Sequence, residues 1–467
     1  MSASRRFRLD PPLAWVLAIV LVKQLAWWAL MPLWQIPDEP AHFAYVQYWA
    51  ESGHLPRATR ERPQNEPSEE AAHTEKWTAF HDVTFHPDVR QPFTDGEDGP
   101  GEAELRDGPR LGRLKDGNSS AATYPPLYYA LARVPYHLFA GGTIVDQVFA
   151  IRLVSVVLVV VTTWAASAMA LELGLTAGLA ACFALFVGMQ PMLSMMGAAV
   201  NNDLLVIALC TVASWLLARI GRQGVSVRRV AGLALVVALG VLTKVQMLPF
   251  AVLVPAFLTL QMARQRPGVR RSAIALGLYG GVVAAAYLGW NAFQAWRGAA
   301  LPPLPATPCD FNWYFNAVLW GFQGRTMAHM VNTMFWAAFG WLDTVFADPV
   351  YGVLGTLVAV GAAGSWVGYR RGTVPSRPFH VVAWGLGLGY WALLILGGYQ
   401  LYSHGEKVML QGRYLLPVWA AIAWVVFTGC LSWVPESRRR LVAVVLATLG
   451  CLFNTAAGIL ILGRFYV

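Results

Sequence analysis

Tyr124-Pro125-Pro126-Leu127-Tyr128-Tyr129-Ala130-Leu131-Ala132-Arg133-Val134-Pro135-Tyr136-His137-Leu138-Phe139 is the segment on which the topology of the chain turns. It is apolar enough to count as a membrane span, and it lies between a first span and a dense series of later ones. If it crosses, every later loop changes sides. The arginines decide the matter. They cluster at Arg219, Arg222, Arg228 and Arg229, at Arg264, Arg266, Arg270 and Arg271, at Arg370, Arg371 and Arg377, and at Arg438 to Arg440. Basic loops stay on the cytoplasmic side. These clusters and the basic N-terminus, Ser4 to Arg8, share that side only if Tyr124 to Phe139 does not cross. A second ambiguous segment, Val331 to Phe346, must also fail to cross. Both read as helices lying at or dipping into the outer interface.

A span needs about 20 apolar residues. The stretches that qualify are 13–34, 151–172, 175–195, 203–220, 229–247, 248–263, 273–295, 350–369, 380–400, 414–433 and 441–462. The reading is an all-α polytopic membrane protein of roughly eleven transmembrane helices, with 1–467 as a single integral membrane domain. The N-terminus reads as a retained signal-anchor facing the cytoplasm, and the C-terminus falls outside. Almost no linker separates 229–247 from 248–263, so the turn from Lys244 to Pro249 must be tight. Two external loops follow from the count. The first, 35–123, has an expected ordered start and a mobile, acid-rich middle around Asp95 to Glu102. The second, 297–349, holds an interfacial helix. The halves show no internal repeat, which speaks against an inverted-repeat transporter.

Composition agrees. Of 467 residues, 56% are hydrophobic and 13% charged, about half the charge of a soluble domain. The 20 Trp and 16 Tyr suit aromatic belts at the two interfaces. The net charge of +9 is scattered between apolar runs rather than gathered in a basic face, so no nucleic-acid partner is expected. Cys182, Cys210, Cys430 and Cys451 lie in apolar runs apart from Cys309, and no disulfide framework is implied.

The chemistry-bearing residues fall where external loops meet the spans. Asp38 and Glu39 follow the first apolar stretch almost directly, and acids at a membrane boundary are costly to desolvate. Asp38 can cap a helix that starts at Glu39-Pro40. In that helix His42 lies one turn on, sharing a face with Asp38, and a carboxylate beside an imidazole suits proton transfer. Tyr124 and Tyr128 suit either a membrane-surface anchor or a wall for a lipid or sugar. Asn202 and Asp203 read as a polar turn and N-cap, or as a second acid for a metal or an acceptor. Lys244 and Arg413 break the positive-inside pattern. Lys244 can snorkel or hold a phosphate. Arg413, in Gln411-Gly412-Arg413-Tyr414, is matched to bidentate phosphate contacts. His404, Glu406 and Lys407 could pair among themselves. Trp341 and Asp343 belong to an aromatic segment that reads as an interfacial helix or a cover over a site. His73, His81 and His86 match no standard metal spacing. Lys23 is an intramembrane charge without an evident partner. Asn118-Ser119-Ser120 fits a glycosylation triplet that is common by chance.

These motifs, in this order, resemble the GT-C glycosyltransferases, multispan enzymes that take sugars from polyprenyl-phosphate carriers. The resemblance is carried by Pro37-Asp38-Glu39-Pro40-Ala41-His42-Phe43, by Pro125 to Tyr129 and by Leu242-Thr243-Lys244. Phe339-Gly340-Trp341-Leu342-Asp343 and Gln411-Gly412-Arg413-Tyr414-Leu415-Leu416-Pro417 are similar to a large bacterial family of unknown function allied to those enzymes. The resemblance implies a GT-C-like fold in the bacterial plasma membrane with its active site on the outer face. It implies Asp38 as catalytic base, helped by Glu39 or His42, and Lys244 and Arg413 on the donor phosphate. Tyr124, Tyr128, Asn202, Asp203, Trp341, Asp343, Gln411 and Tyr414 are the expected substrate contacts. The expected reaction is inverting transfer from a polyprenyl-phosphate sugar to a hydroxyl on a glycan, lipid or protein, among membrane lipids. Some GT-C enzymes need a divalent metal and others do not, and metal dependence stays open. The alternatives are a glycan polymerase or ligase with a pyrophosphate-linked donor, and a lipid or sugar transporter.

Overall fold

The computed structural model describes residues 10–57, 67–91, 108, 110–114, 120–266, 268–299, 310–320, 326–403 and 411–467. The basic residues at 4–8, the acid-rich stretch 95–102, Asn118, Ser119, Cys309 and the group His404, Glu406 and Lys407 lie outside them.

The chain is a multi-pass helical membrane protein. Nine helical stretches among the described residues are long and apolar enough to cross a bilayer: Pro11–Leu30, Ile144–Glu172, Asp203–Gln223, Val245–Gln265, Val269–Trp296, Asp348–Arg371, Arg377–Gln400, Gly412–Ser432 and Glu436–Phe465. The other two expected crossings are also helical but shorter, at Ala177–Gly188 and Val227–Val241. The first of them is cut short by a buried polar knot. Lys23 Nζ donates to the Gly188 carbonyl (3.0 Å), Ser194 Oγ (2.8 Å) and Gln24 Oε1 (2.9 Å). Asn454 Nδ2 donates to the Met189 carbonyl (3.0 Å) and to Ser194 Oγ (2.8 Å). Carbonyls freed at the break are satisfied by side chains, as a membrane interior requires. The chain resumes as the short helix Pro191–Met196.

Neither ambiguous segment forms a helix long enough to span. Leu127–Leu138 is a 12-residue helix. Met327–Trp336 is a 10-residue helix, and the expected continuation to Phe346 is replaced by a small antiparallel hairpin, Ala338–Phe339 with Thr344–Val345. The reason is the turn Gly340 to Asp343, in which Gly340 and Leu342 take positive φ of 59° and 68°. A helix cannot continue through left-handed residues.

The bundle has two ends of different chemistry. In Asp203–Gln223 the acid opens the helix, and Arg219 and Arg222 close it beside Glu172, at 3.7 and 3.8 Å. Val227–Val241 runs back from Arg228 and Arg229 towards Lys244. Gly412–Ser432 starts at Arg413 and leads to Arg438 to Arg440. Arginine loops therefore gather at one end, and the singled-out residues gather at the other. There the segment after the first span packs with Leu127–Leu138 around its own core of Trp34, Phe43, Tyr45, Tyr128, Tyr129 and Tyr136, seated on Ile144, Val148 and Ile151.

One interhelical contact in the bundle is unusually close. A Cβ built on Gly429 would lie 1.8 Å from the Gly361 carbonyl oxygen, and one on Gly364 would lie 2.2 Å from the Gly429 oxygen. Glycines let these two backbones meet directly, as small residues do in membrane bundles. Gly429→Ala should cost about 1–3 kcal/mol, because the clash is with backbone that no rotamer change can move. Denaturant unfolding in detergent checks this, and wild-type stability in the variant would contradict the packing.

Candidate active site

Asp38 begins the Glu39–Ser52 helix in a conformation that capping does not explain. Its φ is 66°, left-handed, and its side chain makes no cap hydrogen bond. Aspartate tolerates this region better than most residues, but it remains strained, and strain of this kind concentrates at functional sites. The twist aims the carboxylate away from its own helix. Arg413 Nη2 donates to Asp38 Oδ2 at 2.5 Å, across 375 positions of sequence. The Arg413 side chain is 1% exposed, whereas that of Asp38 is 45% exposed, so the acid keeps an open face.

Arg413 reaches this place because of the residue before it. A Cβ on Gly412 would lie 2.1 Å from the Val331 oxygen and 2.5 Å from the Phe335 nitrogen. Only glycine lets the turn Gly412–Val418 press on the Met327–Trp336 helix. Gln411 Oε1 accepts from Arg413 Nε at 2.5 Å. Nη1 is buried and has no protein partner.

A second ion pair stands beside the first. Lys244, in the tight turn after Val227–Val241, pairs with Asp203. The ammonium also lies 4.9 Å from the Tyr124 ring centre and 5.8 Å from that of Tyr414, while Arg413 lies 5.5 Å from the Tyr414 ring. Both cations thus share an aromatic wall. The turn is tied down at several points. Leu127 N donates to the Leu242 carbonyl (3.2 Å), and Asn202 Nδ2 to the Thr243 carbonyl (3.4 Å). Asp203 N donates to Asn201 Oδ1 at 2.8 Å, and Asn201 N donates to the Tyr128 hydroxyl at 2.9 Å. Asn201 Nδ2 and Asn202 Oδ1 are buried without partners.

His42 joins from the other side. Its Nδ1 is 2.8 Å from the Tyr129 hydroxyl, and its ring stacks between Tyr124 and Tyr129 at 5.7 and 5.9 Å. Tyr129 stacks in turn on Tyr45 at 3.5 Å. The electrostatics follow. Burial would raise the Asp38 carboxyl, but Arg413, His42 and Lys244 outweigh it and hold it below the usual carboxylate range. Burial works against charge on Lys244, yet Asp203, Tyr124 and Tyr414 raise it above its ordinary value. His42 is lowered to about 4, first by burial and then by Lys244. Below that value it charges, and above it stays neutral. Asp38 must be ionised to act as a base, so kcat/KM, which reports the free enzyme, is lost only as pH falls through its depressed value. The pH profile of kcat/KM should therefore show no histidine-type inflection between about pH 5 and 8. A half-loss of activity in that window would contradict the assigned states.

Not every expected residue joins the group. Glu39, expected beside Asp38 in the chemistry, is instead paired with Arg152. Arg152 Nε and Nη2 grip both of its oxygens at 2.8 and 2.6 Å, and Val200 N donates to Oε1 at 3.0 Å. Both side chains are 0% exposed. Arg152 also donates to the Met31 and Pro32 carbonyls at 2.7 and 3.0 Å, which fixes the exit of the first span. Trp341 and Asp343 likewise serve the hairpin. Trp341 Nε1 donates to the Trp34 carbonyl (2.9 Å) and the ring meets Phe80 and Phe85, while Asp343 faces Thr344 and, at 3.9 Å, Arg464. Arg152 and Tyr129 are the participants that sequence reasoning missed. Arg152 carries the same signal that singled out Lys23, a charge inside an apolar run. Among the described residues no three His, Cys, Asp or Glu side chains come together as a metal site.

A family described as a predicted membrane protein (DUF2142) matches residues 21–422. No curated protein matches the sequence. Among solved structures, ArnT from Cupriavidus metallidurans bound to undecaprenyl phosphate is similar at a TM-score of 0.48 and 15% identity, over 97% of this chain and 75% of that one. The apo oligosaccharyltransferase of Archaeoglobus fulgidus gives 0.48 and 12% over 97% and 56%. The A. fulgidus oligosaccharyltransferase AglB, in complex with an inhibitory peptide and a dolichol-phosphate, gives 0.47 and 13% over 96% and 56%. The chain spans little more than half the length of these oligosaccharyltransferases.

Proposed function

We propose that this chain, which belongs to the DUF2142 family of membrane proteins, is an inverting glycosyltransferase that uses a polyprenyl-phosphate sugar. One observation carries the reading. Two buried cations, Lys244 and Arg413, meet at one aromatic wall beside a strained, half-open acid, Asp38. Both cations stand at the end of the bundle opposite the arginine loops, each paired with an acid. By the positive-inside rule that end is the outer face of the membrane.

The chemistry follows from these groups. The donor is a phosphodiester whose sugar carbon is bonded to a phosphate oxygen. Asp38 takes the proton of an acceptor hydroxyl, whose oxygen attacks the sugar carbon from the face opposite the phosphate. The carbon–oxygen bond to phosphate breaks, and its electron pair leaves on the polyprenyl phosphate. That leaving group gains one negative charge, which Lys244 and Arg413 are placed to stabilise. Tyr124 and Tyr414 offer ring faces to the sugar or to the first isoprene units. His42, held by Tyr129 and neutral above about pH 4, positions rather than relays. Attack from the opposite face means inversion at the anomeric carbon.

Arg413→Gln should reduce turnover by about a hundredfold, close to 3 kcal/mol of barrier. Donor binding tests the reading itself. Protein in lipid nanodiscs should bind an undecaprenyl-phosphate sugar more tightly than the same sugar on pyrophosphate, and Lys244→Gln should weaken that binding. A preference for the pyrophosphate carrier would favour a polymerase or ligase. Binding to neither would remove the donor assignment.

A further inference from the structure

Asp38 is committed to Arg413. Its Oδ2 accepts from Arg413 Nη2 at 2.5 Å, and a carboxylate so held is a poor base. The guanidinium has unused capacity in the same place, since Nη1 is buried and has no protein partner. The acids of the two ion pairs also differ in freedom. The Asp203 side chain is 9% exposed and opens a helix under Asn201, whereas that of Asp38 is 45% exposed and hangs from a left-handed residue.

We propose that Arg413 is a release catch, in which donor phosphate arriving on its guanidinium frees Asp38 to act as base. The inference rests on the glycosyl-transfer reading above. A phosphate oxygen on Nη1 competes with the carboxylate for one delocalised charge, and the two anions repel each other. Asp38 can turn into the space its open face already has. Asp203 cannot, so Lys244 keeps its counter-ion while Arg413 exchanges one. The groups facing Asp38 are Arg413 from the turn Gly412–Val418, His42 from its own helix, Lys244 from the turn after Val227–Val241, and Tyr124 before the Leu127–Leu138 helix. With Arg413 shared and phosphate nearby, all new influence on the carboxylate favours its protonated form. Asp38 thus gains proton affinity only in the donor-loaded enzyme. Binding is ordered, donor before acceptor, and the empty site does not activate water.

The test reads the ionisation of Asp38 directly. Infrared titration of the full chain in nanodiscs resolves its carboxyl band, identified by loss in Asp38→Asn, with and without undecaprenyl phosphate as probe. Saturation with the probe should move the midpoint upward by about one pH unit or more. An unchanged midpoint with the probe bound overturns the release and leaves the glycosyl-transfer reading standing. Failure of the probe to bind, read separately by phosphorus NMR, overturns that reading and this inference together. Arg413→Lys gives a second readout, because a point charge cannot hold two anions in a fork. Its midpoint without probe should already be raised, and a wild-type midpoint there would show that Arg413 is not the catch.

Discussion

Asp38→Asn should lower turnover by about a hundredfold to ten-thousandfold, the range of a lost general base. The fold should suffer less than from loss of a fully buried acid, because the side chain is 45% exposed and caps nothing, although buried Arg413 loses its counter-ion. The variant keeps the shape of the carboxylate and loses only its charge and proton affinity. The same loss should tighten the donor. Arg413 then carries no internal counter-ion, and phosphate meets an undivided guanidinium. The expected signature is therefore a large fall in kcat with a KM for donor that is unchanged or lower. Steady-state kinetics with a polyprenyl-phosphate sugar measure both. A raised KM with unimpaired kcat would assign Asp38 to substrate binding and take the base from it.

Glu39→Gln should cost about 3–5 kcal/mol of stability although it changes one atom. Glu39 and Arg152 are both fully buried, and removal of either charge strands the other in a low-dielectric interior. The bidentate geometry, at 2.8 and 2.6 Å, is the arrangement most sensitive to loss of charge. Because Arg152 also holds the Met31 and Pro32 carbonyls, the damage extends to the turn segment that leads into Asp38. The double variant Glu39→Gln with Arg152→Met should cost less than the two single changes summed, since no charge is left stranded. It should not return to wild type, because those carbonyls and the Val200 amide lose their partners. Unfolding of the three variants in detergent provides the cycle, and strict additivity would sink the account of this pair.

Much of the site was legible because its residues violate a local rule. Asp38 sits at a membrane boundary, and Lys244 and Arg413 are cations at the wrong end of their helices. Each violation needs a tertiary explanation, and the three converge. The helix count was legible for the opposite reason, since the described arginine clusters gather at one end of the bundle. What stayed hidden is partner choice. The sequence offers Asp38 as a cap, but Arg413 lies 375 positions away and overrides the local preference. Tyr128 and Tyr129 are indistinguishable by composition, and only packing shows that Tyr129 holds His42 while Tyr128 holds Asn201. Lys23 is satisfied by two side chains and a carbonyl freed at a helix break, none of them acidic, so a search for a countercharge finds nothing. Arg152 opens the apolar run at 151–172 and was absorbed into a span boundary. Gly340 marked a turn inside the segment expected to be helical, and the hairpin follows from it.

The central claim is tested by sugar transfer. Purified protein in lipid nanodiscs, given a panel of polyprenyl-phosphate sugars, should transfer or slowly hydrolyse at least one of them, with inverted anomeric configuration by NMR. Asp38→Asn should lower that turnover by at least about a hundredfold while still binding the donor. Equal turnover by Asp38→Asn, or retention of configuration, would contradict the mechanism built on Asp38, Lys244 and Arg413.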